Sequence, residues 1–405
     1  MRLAILWLVS VAAVSDARTL QGVLGDAQEA VGLRPAPAFT HFASHLAESI
    51  TAPSFTSASS AALAGIAAID ATEATLGPMF LDHAETVGAG VTSGTVASQR
   101  SFAQGSLFGQ PFNQLGLDTP PVLLKRTPTG KPGSPALLGV RLRYELDVHV
   151  WATAIAVTHG FTDDVDGSVV LPIVHTALAC GVFARVVRAT GPNGGVFMPV
   201  HHAPTVGGFV EPVDATGVGD LVARGKYHLS FIPPPWSVAV TMEVQFPTGN
   251  PQQFHGTGDY WLTPGLDVAL PLKRLRAELD AAASLDVDVT NSGLSQALYG
   301  ASASVVLWPH RLAAVVEFMG QSQLATAFRP HDTDVLVLTP QGIAPDPLLG
   351  LGWSQRLDQF NFAFGLRAIL GHGIMVFATG LVPLNRSVGV RPQGVVPTLG
   401  LGAAF

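Results

Sequence analysis

The sequence predicts an all-β protein, a transmembrane antiparallel β-barrel of about twelve strands that follows an N-terminal extension. Three observations predict it. The chain is too apolar for a soluble domain yet has no apolar run that could form a membrane helix; its hydrophobic segments alternate with period two; and the connections between those segments are alternately short and long.

Composition comes first. Charged residues make up 13% of the 405 and the mean hydropathy is +0.37, whereas a soluble domain carries about 25% charged residues. A membrane helix needs about 20 consecutive apolar residues. Beyond the first residues every hydrophobic run is broken by Gly, Pro or an alternating polar residue, with 43 Gly and 30 Pro in the chain. High hydropathy without a helical span is the composition of a strand-built membrane wall. The net charge of −7, with 22 Lys and Arg, argues against nucleic acid as a partner, which needs a basic face. Cys180 is the only cysteine, so no intramolecular disulfide or Cys-based zinc site can form.

Residues 1–17 read as a secretory signal peptide. Arg2 precedes an uncharged apolar run from Leu3 to Val14, and Ser15-Asp16-Ala17 places small residues where a signal peptidase cuts. Residues 18–80, rich in Ala, Ser and Thr, allow a short helix over Leu20 to Leu33 and then show no sustained alternation. They form an extension that either plugs the barrel from inside or below, or trails as a periplasmic tail. The barrel itself is expected over 81–405.

Alternation defines the strands. Trp236, Val238, Val240, Met242, Val244 and Phe246 are interleaved with Ser237, Ala239, Thr241, Glu243 and Gln245. The same holds from Leu138 to Val148, with Arg141, Arg143, Glu145 and Asp147 between, and from Leu275 to Val289, with Arg276, Glu278, Asp280, Ser284, Asp286 and Asp288 between. Near the end, Phe360, Phe362, Phe364 and Leu366 alternate with Gln359, Asn361, Gly365 and Arg367. The pattern predicts strands at 83–98, 137–159, 167–190, 217–231, 236–248, 257–272, 274–290, 295–308, 311–325, 355–369, 373–384 and 393–405. An even count is what single-chain bacterial barrels have. Connections alternate between short turns, at 161–166, 232–235, 272–274, 309–310 and 371–372, and mostly longer loops. A sandwich has no such rule. The exception is the short link at 291–294 on the long side.

The chain closes on an amphipathic strand ending in Phe405, which resembles the terminal signal by which barrels are recognised for assembly. Gly217-Val218-Gly219-Asp220-Leu221-Val222-Ala223-Arg224-Gly225-Lys226-Tyr227 resembles a G-x-G-D-x-x-x-R-x-K-Y strand of the bacterial outer-membrane transporters named for the MetA pathway of phenol degradation, related in style to FadL-like channels. Supporting pieces are Gly160-Phe161-Thr162-Asp163-Asp164-Val165-Asp166 with Leu171-Pro172-Ile173-Val174, then Phe246-Pro247-Thr248-Gly249 with Gly256-Thr257-Gly258, and Leu381-Val382-Pro383-Leu384-Asn385. The likeness runs over about 75–405. One departure is His159, where the family often has Tyr. The resemblance implies a barrel and a transport role, and names no substrate.

On strand periodicity the polar faces line the lumen, because Arg or Lys facing lipid at mid-membrane costs about 2 to 4 kcal/mol. The lumen-lining candidates are Arg141, Arg143, Glu145, Asp147, Asp220, Arg224, Lys226, Glu243, Arg276, Glu278, Asp280 and Arg367. They either pair across strands to fill the interior or form a charged constriction that filters solutes. No cofactor and no metal site is expected: His201, His202 and His175 lack a helical His-x-x-x-His with an acidic partner. No G-x-S-x-G nucleophile motif appears, so the protein is expected not to be an enzyme. The expected function is an outer-membrane channel for small, hydrophobic or aromatic molecules in a Gram-negative bacterium. Its partners are outer-membrane lipids, the barrel-assembly machinery and the solute. The alternatives are a structural or assembly barrel without transport, and an outer-membrane lipid hydrolase.

Overall fold

A computed structural model describes residues 79–107, 110–111, 122–125, 137–189, 198–199, 201, 205–289, 295–309, 311–324, 336–339, 342–345, 358–371, 374–384, 389–392 and 394–404. The signal peptide, the extension up to residue 78 and Phe405 lie outside them.

Twelve strands form one closed antiparallel ring. In chain order they are β1 (Thr92–Leu107), β2 (Leu137–Gly160), β3 (Val165–Ala189), β4 (Thr205–Val218 and Leu221–His228), β5 (Ser237–Phe246) and β6 (Trp261–Leu272). The second half is β7 (Ala277–Asp288), β8 (Gln296–Trp308), β9 (Leu312–Gln323), β10 (Asp358–Gly371), β11 (Ile374–Pro383) and β12 (Gly389–Pro392 and Val396–Ala404). Each pairs with the next. The ring closes where β12 pairs with β1, from Ser93 opposite Ala404 to Gln99 opposite Thr398, and again from Ala103 opposite Pro392 to Ser106 opposite Gly389. Short paired pieces such as Leu336–Thr339 with Gly342–Pro345 sit in the long connections. Among the described residues no helix is long and apolar enough to cross a membrane.

The ring is inverted relative to a soluble domain. Its outer surface exposes Val96, Trp151, Val157, Val240, Leu266, Leu279, Leu285, Val305, Val316, Phe318, Phe364, Leu366, Leu399 and Leu401. Its inner face buries Thr95, Gln99, Thr158, Ser168, Thr176, Thr241, Asp267, Ser302, Ser304, Thr379 and Thr398. Cross-strand partners share a face, so closure propagates one parity around the ring: Ala97 opposite Ala154, Thr241 opposite Lys226 and Glu317 opposite Ala363 all point inward. At the short-turn end, exposed Phe161, Phe231, Trp236 and Trp308 make an aromatic rim, and the Arg311 guanidinium sits 5.8 Å over the Trp308 ring.

Four strands depart from the sequence expectation by four residues or more, the sixth by beginning at Trp261 instead of 257. The first begins at Thr92 instead of 83, because Gly88 (φ 88) and Gly90 (φ 75) turn the chain out of extended conformation. The fourth begins at Thr205 instead of 217. Its Gly207-Gly208 and Pro212 look like loop residues, but the ladder with β3 absorbs the proline at a register shift between Leu178 and Cys180. The twelfth begins at Gly389 instead of 393, pairing β1 in two pieces.

Closed barrels satisfy every wall backbone group and resist detergent. Purified full-length protein is therefore expected to migrate faster unboiled than boiled on a denaturing gel; identical migration of the two samples contradicts the closed ring.

Candidate functional site

The lumen is not left to the wall side chains. Residues Met79–Gly90, just before β1, run across the inside of the ring, and the wall holds them chiefly by carboxylates. Glu317 on β9 accepts the backbone N–H groups of Met79, of Phe80 at 2.8 Å and of Leu81 at 3.2 Å. Three successive amides converging on one carboxylate form a small anion nest. A hydrogen bond to a charged group contributes about 1.5 to 3 kcal/mol, so the three together anchor the start of the segment to β9. Met79 and Phe80 also pack on inward apolar side chains of the same side of the ring, Val315, Ala363, Met375, Phe377, Leu381 and Val396.

Further along, Asp82 pairs with Arg224 and lies 3.2 Å from Lys226 Nζ. Lys226 Nζ donates to the carbonyls of His83 (2.7 Å) and Glu85 (3.2 Å). The His83 ring nitrogen Nδ1 lies 2.9 Å from Asp280 Oδ1 on β7. The Val87 amide donates to Asp166 at 3.2 Å, and the Ala89 amide to Asp163 in the β2–β3 turn at 3.2 Å. At the end of the segment Gly160 donates to Val91 and accepts from Gly90 (2.9 and 2.8 Å). A Cβ on Gly160 would fall on the Gly88 carbonyl, so only glycine lets the segment leave the lumen there. The segment and the wall thus supply hydrogen-bond and ion-pair partners to one another's buried charges, which burial of ionised groups requires.

The expected lumen residues separate into groups. Arg224, Lys226, Glu278, Asp280 and Arg367 face inward around the segment. Arg367 is fully buried and interacts electrostatically with Glu317, Asp280 and Glu278. Glu243, opposite Arg224 in the β4–β5 ladder, also faces inward. Arg276 does not: it is exposed in the β6–β7 turn with φ 49, where it ends the ladder. Asp147 stands on the outward parity of β2 with Trp151 and Val157, exposed beside His149 (3.2 Å). The side chains of Arg141, Arg143 and Glu145 lie outside the described residues. Alternation failed at Asp147 because it gives two faces without saying which is inside. At Arg276 it failed because the pattern runs on past the turn.

Asp220 points into the ring but belongs to a latch. Residues 219–220 interrupt β4, and the gap is filled by the β5–β6 loop. Thr248 Oγ1 donates to the Gly219 carbonyl and accepts from the Leu221 amide, both at 2.9 Å. The Gly219 amide donates to the Pro172 carbonyl at 2.8 Å. The Asp220 carboxylate accepts from the amides of Gly249 (2.9 Å) and Thr257 (2.7 Å), the Thr257 hydroxyl (2.9 Å) and Gln245 Nε2 (3.0 Å). His255 reaches the Ala215 carbonyl, and burial pushes its imidazole below the ordinary value.

Sequence reasoning missed Asp82, His83, Glu85, Asp166 and Glu317 as interior partners. The signal for the first three was present: charged residues directly followed by Gly88 and Gly90, ahead of the first uninterrupted alternation. Among the described residues His83, Glu85 and Glu278 bring potential ligand atoms within 4.8 Å of one another, although no metal site was expected from the sequence.

No family model matches the chain, and no curated protein matches it. Among solved structures it is similar to an outer-membrane channel from Pseudomonas putida F1, at 12% identity over 79% of this chain and 97% of that one, with a TM-score of 0.45. It is also similar to a FadL homologue of Pseudomonas aeruginosa, at 10% identity over 80% and 91% with a TM-score of 0.32. The translocator domain of the autotransporter NalP from Neisseria meningitidis gives 9% identity over 78% and 89%, with a TM-score of 0.31.

Two outcomes test this site. Asp220→Ala should leave the heat-modifiable barrel intact but open the β5–β6 loop to limited proteolysis near Gly249–Gly258; unchanged protection there contradicts the latch. Glu317→Ala should free the start of the luminal segment, so that a cysteine placed at Phe80 reacts with a small thiol reagent at least tenfold faster than in the parent. Equal rates contradict the anchor.

Proposed function

We propose that the protein is an outer-membrane channel for small molecules in a Gram-negative bacterium, with a passage narrowed by the Met79–Gly90 segment. The observation that carries this reading is the arrangement of the ring: an apolar outer wall suited to lipid around an interior that holds the buried charged side chains. A ring of about eight strands already fills itself with side chains, so twelve leave width that something else must narrow. The luminal segment supplies it. The ordered motifs that resemble the MetA-pathway transporters support a transport role.

In this reading residues 1–17 direct export and are removed near Ala17, and the barrel-assembly machinery recognises the strand ending in Phe405. The segment described inside the ring continues a plug that takes in residues 18–80. No catalytic role is assigned.

A second reading has an observation of its own. Glu317 and the apolar cluster around Met79 fasten the segment firmly, which suits a structural barrel that passes nothing. Planar-bilayer recordings and liposome swelling with sugars and aromatic acids separate the two. A channel gives measurable conductance in the parent, and a variant lacking residues 18–90 behind the intact signal gives larger conductance with weaker discrimination between solutes. Assembled protein that passes neither ions nor solutes, in the parent and in the truncated form alike, supports the structural reading and overturns the proposal.

A further inference from the structure

The pairing of His83 with Asp280 has a second side. Asp280 Oδ1, 2.9 Å from His83 Nδ1, is placed to accept a hydrogen bond from an Nδ1–H, the tautomer that leaves the lone pair of Nε2 facing two other carboxylates. Nε2 lies 3.6 Å from Glu85 Oε2 and 3.9 Å from Glu278 Oε1. These separations are too long for hydrogen bonds. They are close to those of neighbouring ligands around a small cation: donors about 2.0 to 2.2 Å from a metal in a tetrahedron stand about 3.4 Å apart. The three ligand atoms lie within 4.8 Å of one another. His83 and Glu278 are buried, with side chains 2% and 3% exposed, while Glu85 is 44% exposed, so a cation can enter past Glu85.

We propose that His83 Nε2, Glu85 and Glu278 form a binding site for a divalent transition-metal cation, best matched by Zn2+. One imidazole and two carboxylates suit zinc, with a water completing four-coordination. Ca2+ takes six to eight oxygen ligands, and Mg2+ gives up its own water reluctantly, so neither fits a nitrogen-containing triad. Asp280 is a positioning residue: a carboxylate behind a ligating histidine fixes the ring and its tautomer. Two ligands come from the luminal segment and one from β7, so the cation ties the segment to the wall. This site is independent of solute passage.

The test uses detergent-purified full-length protein, stripped with a chelator and titrated with Zn2+ alone, followed by calorimetry and by metal content after dialysis. The expected result is one Zn2+ bound per chain, with Co2+ in its place giving the intense visible absorption of a four-coordinate nitrogen and oxygen site. Asp280→Asn should weaken binding about 10- to 100-fold, and His83→Gln should abolish it, in barrels that remain heat-modifiable. Should His83→Gln fail to assemble, Glu85→Gln, at the exposed edge, must weaken Zn2+ binding at least about tenfold. Assembled parent protein that retains no Zn2+ above a buffer control, or that loses no affinity when these residues are changed, overturns the proposal and leaves His83 as a counter-ion of the surrounding carboxylates.

Discussion

A hydrocarbon layer offers no partner to a backbone N–H or C=O, so a strand can stand in it only when both of its edges are paired. The junction of β1 with β12 meets that demand for the whole ring, and the rest of the molecule depends on it. Once those two strands pair, the parity of each strand is set by its neighbour. A residue such as Ala97 that faces inward obliges Ala154 to do the same, and the constraint passes from ladder to ladder. The outer wall can then be uniformly apolar only if nearly all polarity is turned to the inside.

That interior creates a second demand. Carboxylates collected in an enclosed space need donors. Some come from wall cations, such as Arg367 near Glu317. Others come from a stretch of main chain, which brings unpaired amides with no side-chain cost. Met79, Phe80 and Leu81 give theirs to Glu317, and Val87 gives its amide to Asp166. Conversely, Lys226 is held by main-chain carbonyls as well as by Asp82. The segment therefore works as a polar filler that contacts wall groups of both signs of charge. An apolar filler would leave these groups unsatisfied, at a cost of about 1 to 3 kcal/mol for each buried polar atom and more for a charge.

The wall was legible in the sequence because period two is a local property. The alternation at Trp236–Phe246, at Leu275–Val289 and at Phe360–Leu366 locates β5, β7 and β10 within a few residues, and the turn lengths follow the order of connections. What was not legible is non-local. Asp220 looks like any inward acid until Gly249 and Thr257 arrive from another hairpin. The pieces around Pro172, Gly219, Thr248 and Thr257, read as separate motifs of a family pattern, turn out to meet in one latch. Asp147 shows that periodicity separates faces without orienting them. His83 and Glu85 fall inside the strand expected over 83–98, and their partners on β7 lie nearly two hundred residues away.

The segment inside the ring is continuous, through Val91, with β1, and β1 is one half of the closing junction. This has a topological consequence. A filler delivered after closure has to thread a finished cylinder, whereas one that precedes a junction strand can be laid down first and enclosed as the last pair zips. Met79–Gly90 is of the second kind, like a clapper hung before the bell is cast around it. Its carboxylate contacts span β3, β7 and β9, staves far apart in sequence, so it also offers the unclosed sheet a common mandrel on which to curl. The same connection limits its later freedom: tethered at one end to a stave, the segment stays at the mouth of the bore wherever it moves, and its contacts to the wall alone decide whether it remains inside.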